Sequence, residues 1–408
     1  MTQYKFTIIV PTKNRADTLY WTLKTCVEQQ YENLDILVSD NFSTDNTKDV
    51  ALGFKDARIK YINTGAAISM SGNWEFALSH VQEGYVTFLG DDDAFLPGAI
   101  TGINKIVNET NCDAVNAACI EYNWPDHLNP LHKNKMFFIK NSIETNPDVH
   151  DILLKVLHCE MPYSTLPWLY KGFVSVALLR KIKEVSKLFF NSRNPDVYSA
   201  IAVANAIQKG KFYYSKTPFA INGASSHSNG ASHSAKSKNA GAVEFNSDLN
   251  IPFHKDLITC TSFPVYVYES YLQVKDAGLL KAENAELIKL DEVLEKAMEL
   301  AQYTDKSMHQ KLQKAILEIG SKNNIDDHKM ASIIKKYPNK NMLARFANKA
   351  KNRYFSNVMQ INMDDYNVKN VYDAAYIADK IVKKEINPSS AKAIATIAGD
   401  IKTIFKSK

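Results

Sequence analysis

Residues 6–12 read FTIIVPT, a run of apolar and β-branched side chains that breaks at Pro11. Such a run is typical of a β-strand that is buried on both faces of a sheet. The next segment, 16–29, carries its apolar residues on one helical face. The alternation continues with predicted strands at 35–39, 58–62, 85–89 and 113–119 and predicted helices at 45–53, 71–81 and 97–110. Strands that alternate with helices predict an α/β fold with a mostly parallel sheet and flanking helices.

Polar residues follow three of the predicted strands at the point where each strand ends. Pro11 and Thr12 end the first strand, Asp40 ends the second, and Asp91–Asp93 follow the fourth. In open α/β sheets, ligands bind outside the carboxyl ends of the strands. We therefore expect these residues to line one crevice, where Asp40 would accept a hydrogen bond from a base or a ribose. The alternative for Asp40 is a residue of an Asx-turn, which is common after strands.

The triplet Asp91-Asp92-Asp93 predicts a metal site. Three adjacent carboxylates repel one another, and a divalent cation would remove that cost. Hard oxygen ligands suit Mg²⁺ or Mn²⁺. Such a cation would neutralise the charge that grows on a diphosphate leaving group. The alternative is an Asp-rich turn that caps the helix behind Pro97, but the position after Gly90, at the end of a buried strand, favours the metal.

Three segments together resemble the opening motifs of glycosyltransferase family 2. They read IIVPTKNR at 8–15, DILVSDNFSTDNT at 35–47 and FLGDDDAFLP at 88–97. The order and spacing of the three motifs make the resemblance specific, and it covers residues 5–235. It implies a GT-A fold and transfer of a sugar with inversion. One departure is visible, because Phe42 stands where the family's second motif usually has glycine.

The resemblance also implies roles for individual residues. Asp40 would bind the base and Asp91 the ribose, while Asp93 would bind the Mn²⁺ or Mg²⁺ that bridges the diphosphate. Asp92 would assist either. Asn73, at the start of a helix, matches a position that contacts the nucleotide, although a plain helix-start residue is the alternative. The expected donor is a nucleotide sugar, with UDP as the expected nucleotide.

Asp196 is the candidate general base. An inverting transfer needs one base to take the proton of the acceptor hydroxyl, and in the family this is an acidic residue ahead of a helix in the second half of the fold. Asp196 precedes the predicted helix 199–207 and is the only acidic residue between Glu184 and Glu244. The alternative is that Asp196 only stabilises the start of the helix.

The segment 222–243 is rich in Gly, Ser, Asn, Ala and His and predicts a loop, either a linker or a lid beside the site. His227, within it, is a candidate metal ligand, because many GT-A enzymes supply a late histidine. A surface histidine is the alternative. Trp168 would stack on a sugar ring or belong to the core.

The chain divides into a predicted nucleotide-sugar domain at 1–221, the loop at 222–243 and a mostly helical, basic region at 244–408. From 321 to 408 there are 17 Lys and Arg against 8 Asp and Glu. The stretch 391–408 has isoleucines on one face and lysines around them. It would lie on an anionic membrane surface or pack on the protein. The net charge of +5 is too small to indicate nucleic acid as the main partner.

Composition predicts a cytoplasmic protein, with peripheral contact at the inner face of the membrane as an option. The five cysteines form no C-x-x-C pair, the first apolar run is too short for a signal peptide, and no segment reaches the length of a membrane span. The expected function is transfer of a sugar from a nucleotide diphosphate to a glycan or lipid-linked glycan acceptor in bacterial surface polysaccharide synthesis. The alternatives are a nucleotidyltransferase, a phosphohydrolase, or an inactive glycan-binding or scaffold subunit. A phosphate-cradling glycine-rich loop is absent near Pro11, which disfavours the nucleotidyltransferase.

Overall fold

The computed structural model describes residues 1–139, 143–227, 251–341, 344 and 358–388. Its strands are β1 (Phe6–Thr12), β2 (Leu34–Asp40), β3 (Ile59–Asn63), β4 (Tyr85–Phe88), β5 (Ala94–Phe95), β6 (Ala114–Ala117), β7 (Ile120–Asn123), β8 (Lys135–Ile139), β9 (Phe173–Ser175), β10 (Phe212–Ser215), β11 (Ala220–Ala224) and β12 (Val358–Asn362). Its helices are α1 (Ala16–Val27), α2 (Thr47–Gly53), α3 (Met70–Ser79), α4 (Ala99–Thr110), α5 (Val149–Leu157), α6 (Val176–Ser186), α7 (Pro195–Ala206), α8 (Phe263–Asp276), α9 (Leu290–Ala301), α10 (Lys306–Lys322), α11 (Asp327–Lys336) and α12 (Val371–Val382).

The central sheet has seven strands in the order β10-β6-β9-β4-β1-β2-β3. All neighbours pair in parallel except β9, which runs antiparallel to both β4 and β6. The predicted α/β fold with a mostly parallel sheet is therefore confirmed. The parallel register places Thr12 directly opposite Asp40, so the ends of β1 and β2 lie side by side as predicted.

Apolar side chains cover both faces of this sheet, which explains why β1 and β2 read as uninterrupted apolar runs. One face packs against α1 and α4 through Leu19, Leu23, Ile100, Ile103 and Val107. The other packs against α3, α5, α6 and α7, with Trp74, Leu179 and Ile201 among the contacting residues. Because apolar side chains cover both faces, the polar residues at the strand ends lie at the edge of the sheet, where they form the candidate site.

A second sheet has the order β12-β8-β7-β11-β5 and lies beside the acidic triplet. Strand β11 pairs antiparallel with β5, which begins immediately after Asp93, and parallel with β7. The predicted loop boundary is therefore wrong at 222–224, because these residues continue β11. The reason is tertiary pairing, which outweighs the low strand propensity of an Asn-Gly-Ala segment. Most of the predicted loop, 228–243, lies outside the described residues.

Gly223 allows β11 to approach the acidic turn. A Cβ atom at this position would lie 1.8 Å from the carbonyl oxygen of Asp92. We expect Gly223→Ala to lower the free energy of unfolding by about 1–3 kcal/mol, because β11 must move away from the turn. Gly102→Ala is the control, since no atom lies within 4 Å of a Cβ there, and a helical alanine should gain about 0.5–1 kcal/mol. Urea unfolding measures both, and a Gly223→Ala protein as stable as the wild type would contradict the close approach.

The C-terminal region is mostly helical in its described part, as predicted, but it also completes the second sheet. Helices α8 and α9 pack on the main core through Tyr271 and Leu294. The chain then returns, and β12 pairs antiparallel with β8. Helix α12 lies against α1, where the Lys24 ammonium sits 4.0 Å from the centre of the Tyr372 ring. The amphipathic stretch 391–408 lies outside the described residues, and within the described ones no helix has the length and apolarity that crossing a bilayer requires.

Candidate active site

Asp93 is held inside the protein by an ion pair. It is 0% exposed, and its Oδ2 lies 3.0 Å from the Nζ atom of Lys171, which is itself 1% exposed. The backbone N–H of Gly223 donates to Oδ1 at 2.7 Å and that of Gly90 donates to Oδ2 at 3.1 Å. Lys171 also donates to Asn222 Oδ1 at 2.6 Å. Both oxygens of Asp93 are thus occupied by protein donors, which fix the turn after β4.

Lys171, the buried partner of Asp93, adopts an uncommon backbone conformation. Its backbone φ is +68°, in the left-handed region that side-chain-bearing residues rarely adopt. Its ammonium lies 3.5 Å from the centre of the Tyr170 ring. For Asp93, the protein thus supplies a buried cation of its own, which offsets part of the repulsion within the triplet. A lysine inside the apolar run 166–173 was the available signal in the sequence.

Asp91 also has an internal cation. Arg15 Nη1 donates to its Oδ1 at 2.9 Å, and a second nitrogen of the same guanidinium donates to the backbone oxygen of His227. Burial raises the pKa of Asp91 to about 6, and the charge of Asp92 adds to the rise while Arg15 opposes it. Arg15 thus joins the end of the first motif to the acidic triplet and to the segment around His227.

Asp92 is the member of the triplet that lies toward His227. Its Oδ2 accepts hydrogen bonds from Ser225 Oγ at 2.9 Å and from Ser225 N at 3.3 Å. The backbone N–H of His227 donates to the same Ser225 Oγ at 3.2 Å. The His227 side chain is 48% exposed, with Nε2 at 3.9 Å from Asp17 Oδ2. Asp92, Ser225 and His227 therefore form one continuous group.

The structure places the two predicted metal ligands, Asp93 and His227, in different surroundings. Asp93 is enclosed by Lys171 and two backbone N–H groups, whereas His227 is linked to Asp92. Across the described ranges, no three His, Cys, Asp or Glu side chains already form a cluster suited to a metal ion. Asp92 is the carboxylate of the triplet that is linked to His227, through Ser225 and the His227 backbone N–H, and a carboxylate oxygen is a ligand type that suits Mn²⁺.

Asp40 ends β2, which pairs with β1, and β1 in turn pairs with β4, the strand that leads to the triplet. Asp40 is buried, and its Oδ2 accepts hydrogen bonds from Tyr61 Oη at 2.6 Å and Asn63 Nδ2 at 3.2 Å. The backbone N–H of Ser43 donates to Oδ1 at 2.9 Å. Phe42 has φ +61° and is 48% exposed. The loop thus keeps a backbone conformation that suits glycine, while it presents an aromatic ring to solvent.

Asn73 lies in α3, where it joins this helix to β2, and its nucleotide contact stays a prediction. Its side chain is buried, accepts a hydrogen bond from Ser39 Oγ at 2.7 Å and donates to Ser39 O at 3.3 Å. These bonds attach α3 to β2. Trp168 belongs to the core, because its Nε1 donates to Asn116 Oδ1 at 3.1 Å within a buried environment.

Asp196 lies in the first turn of α7, half-buried, and Tyr163 Oη donates to its Oδ2 at 2.7 Å. The charges of both Asp196 and the triplet act on Tyr170. Burial raises the pKa of Tyr170, and the charges of Asp93, Asp92 and, more weakly, Asp196 raise it further. The structure therefore brings Asp196 and the acidic triplet into electrostatic reach of one tyrosine.

Comparisons with known proteins concern mainly the first part of the chain. The sequence model of the family described as Glycosyl transferase family 2 matches residues 7–159. The chain is 38% identical over 108 residues to a Campylobacter jejuni GalNAc(5)-diNAcBac-PP-undecaprenol beta-1,3-glucosyltransferase, covering 26% of this chain and 35% of that protein. It is 32% identical over 96 residues to an Escherichia coli UDP-Glc:alpha-D-GlcNAc-diphosphoundecaprenol beta-1,3-glucosyltransferase, covering 24% and 38%. The chain thus spans little more than a third of the length of these curated relatives.

Among solved structures, the chain is similar to S. aureus TarS 1-349 in complex with UDP-GlcNAc. The sequence identity is 15% and the TM-score is 0.46, with 82% of this chain and 91% of that chain covered.

Proposed function

We propose, from the premise that residues 7–159 form a glycosyltransferase family 2 domain, that this chain transfers a sugar from a nucleotide diphosphate to a glycan acceptor with inversion. The observation that carries the proposal is the convergence of three strand ends. Thr12 lies opposite Asp40, and Arg15, just after β1, binds Asp91 at the end of β4. A parallel sheet of this kind binds ligands at that edge.

The donor we propose is a UDP-sugar, and the acceptor is a glycan linked to a lipid through a diphosphate. The names of the relatives from C. jejuni and E. coli describe lipid-diphosphate acceptors, and the E. coli name also describes UDP-Glc as the donor. The test is release of the nucleoside diphosphate from a panel of UDP-, GDP- and dTDP-sugars. Each donor is offered with a lipid that carries α-D-GlcNAc on its diphosphate. Release from a UDP-sugar that depends on the acceptor supports the proposal, and release from none of the panel overturns it.

The residues of this chain divide the work of the transfer. Asp40 and the end of β1 hold the nucleoside, and Asp91, which Arg15 holds in place, binds the ribose. Asp92 and His227 would hold Mn²⁺ or Mg²⁺, which stabilises the negative charge of the departing diphosphate. Asp196 takes the proton from the acceptor hydroxyl as that oxygen attacks the anomeric carbon. Tyr163 keeps the Asp196 carboxylate in place by its hydrogen bond.

Asp92→Asn should remove the part of UDP stabilisation that depends on manganese. A ligand that binds only the folded protein raises its melting temperature, so UDP with Mn²⁺ should raise it in the wild type more than UDP alone. Differential scanning fluorimetry with and without Mn²⁺ measures the difference.

Asp126→Asn is the matched control for this experiment. Asp126 is exposed and accepts hydrogen bonds from Ser226, one residue beyond the Ser225 that Asp92 holds. The control should keep the manganese-dependent shift. An Asp92→Asn protein that also keeps it would remove Asp92 from the metal site.

A further inference from the structure

The segment 189–196, which leads into α7 and ends at Asp196, is held on one side by α3. The carboxylate of Glu75 accepts hydrogen bonds from Phe189 N at 2.8 Å and Phe190 N at 3.0 Å. The hydroxyl of Ser71 donates to the carbonyl oxygen of Ser192 at 2.6 Å. Helix α3 is the helix that Asn73 attaches to β2. The segment that carries the proposed base is thus connected to the central sheet.

A buried carboxyl group holds the other side of the same segment. Glu269, on α8 of the C-terminal region, is fully buried. Its Oε2 accepts a hydrogen bond from Ser192 Oγ at 2.7 Å, and its Oε1 accepts one from Gln273 Nε2 at 2.9 Å. Burial raises the pKa of Glu269, and its bonds to Ser192 and Gln273 oppose the rise. A buried carboxyl is costly unless donors surround it, and here the donors include the segment before α7.

The direction of these bonds gives Glu269 a specific effect. Ser192 Oγ accepts a hydrogen bond from the backbone N–H of Asn194 at 3.2 Å. A hydroxyl has one proton and two lone pairs. Its proton goes to Glu269, so both lone pairs face donors. One faces the N–H of Asn194, which stands at the N-cap of α7, and the other faces Ser270 Oγ at 3.1 Å. Glu269 therefore orients Ser192, and Ser192 holds the residue that precedes the first turn of α7.

We propose that Glu269 is a positioning residue that acts through Ser192 to hold Asp196 against Tyr163. This inference rests on the proposed function, since it takes Asp196 as the base. It assigns the C-terminal helices a part in catalysis, because Glu269 lies more than a hundred residues beyond the family 2 match, which ends at residue 159. The base is thus held jointly by α3, which packs on the sheet, and by α8.

The test compares Glu269→Leu, Glu269→Gln and Ser192→Ala with a matched control. His309→Leu is the control, because His309 is a buried polar residue on α10 whose ring contacts the carbonyl oxygen of Tyr337 at 3.2 Å, away from this segment. Two quantities are measured. The first is hydrogen exchange of the amides of 190–198. The second is kcat and KM for UDP-glucose with the GlcNAc-diphosphate lipid.

We expect Glu269→Leu and Ser192→Ala to speed amide exchange at 190–198 by about tenfold, since local opening becomes easier. The kcat should fall by about 100-fold while the KM for UDP-glucose stays the same, because a small displacement of a catalytic group is enough. Glu269→Gln should retain most of the wild-type kcat, since the amide oxygen of glutamine still accepts the hydrogen bond from Ser192. His309→Leu should lower the melting temperature but leave both the amide exchange at 190–198 and the kcat unchanged.

Two results would overturn the inference. One is an unchanged rate of amide exchange at 190–198 in Ser192→Ala. This variant keeps the bond between Glu269 and Gln273, so it can be measured even if Glu269→Leu does not fold. The other is a loss of kcat in Glu269→Leu no larger than in His309→Leu. Failure of the proposed function itself appears separately, as full transfer by Asp196→Asn or as no turnover by the wild type.

Discussion

Lys171→Met is expected to lower the free energy of unfolding by about 3–5 kcal/mol, since removal of one partner leaves a charge buried and unpaired. The charge in question is that of Asp93, whose fully buried carboxylate lies 3.0 Å from the Lys171 ammonium. Methionine fits the space along the Tyr170 ring but cannot donate to Asp93 or to Asn222. Urea unfolding gives the change, read from the midpoint and the slope together.

The double variant Lys171→Met/Asp93→Asn distinguishes a lost charge partner from lost packing. Asparagine removes the buried charge but still accepts the hydrogen bond from Gly223 N, so most of the lost stability should return. Lys105→Met is the control for an exposed pair, because Lys105 and Glu109 are both largely exposed, and it should change stability by no more than about 0.5 kcal/mol. If Lys171→Met costs no more than Lys105→Met, the ion pair does not stabilise the acidic turn.

Asp196→Asn is expected to lower kcat for transfer by about 10²–10⁴-fold, the usual contribution of a general base. The amide oxygen of asparagine still accepts the hydrogen bond from Tyr163, so the geometry of α7 is kept while the basic group is lost. Binding of UDP should stay the same, because the proposed nucleoside site lies at the ends of β1 and β2. Initial rates with UDP-glucose and the lipid acceptor, together with calorimetric titration of UDP, measure the two effects.

Asp151→Asn controls for the other interpretation of Asp196, that it only stabilises a helix start. Asp151 is an exposed acidic residue in the first turn of α5, and its loss removes the same interaction with a helix dipole, about 0.3–1 kcal/mol. It should leave kcat unchanged. Transfer retained by Asp196→Asn at the level of Asp151→Asn would show that Asp196 is not the base.

The sequence is enough to predict the elements whose signals are local. The apolar runs of β1 and β2 and the polar residues at their ends predict the parallel sheet and its binding edge, because strand period and turn chemistry are read within a few residues. Asp40 therefore ends β2, and Asp91 follows β4.

The partners of those residues are set by contacts between distant segments. Asp93 has Lys171 as its partner 78 residues away and Gly223 at a separation of 130. The first contact depends on the bonding of Leu169 and Lys171 to Phe88 of β4, and the second on how β11 pairs with β5. No local pattern distinguishes the carboxylate that turns inward, Asp93, from its neighbour Asp92, which lies toward Ser225. Strand β12 is a similar case, since it pairs with β8 more than 200 residues earlier.

The most direct test of the central claim is the anomeric configuration of the product that the wild type makes from a UDP-sugar. UDP-glucose carries its sugar in the α configuration, and attack by the acceptor hydroxyl with Asp196 as base inverts that centre. NMR of the product formed on the GlcNAc-diphosphate lipid should show a β linkage, together with one UDP released for each sugar transferred. An α-linked product, or no nucleoside diphosphate released from any nucleotide sugar in the panel, would contradict the account.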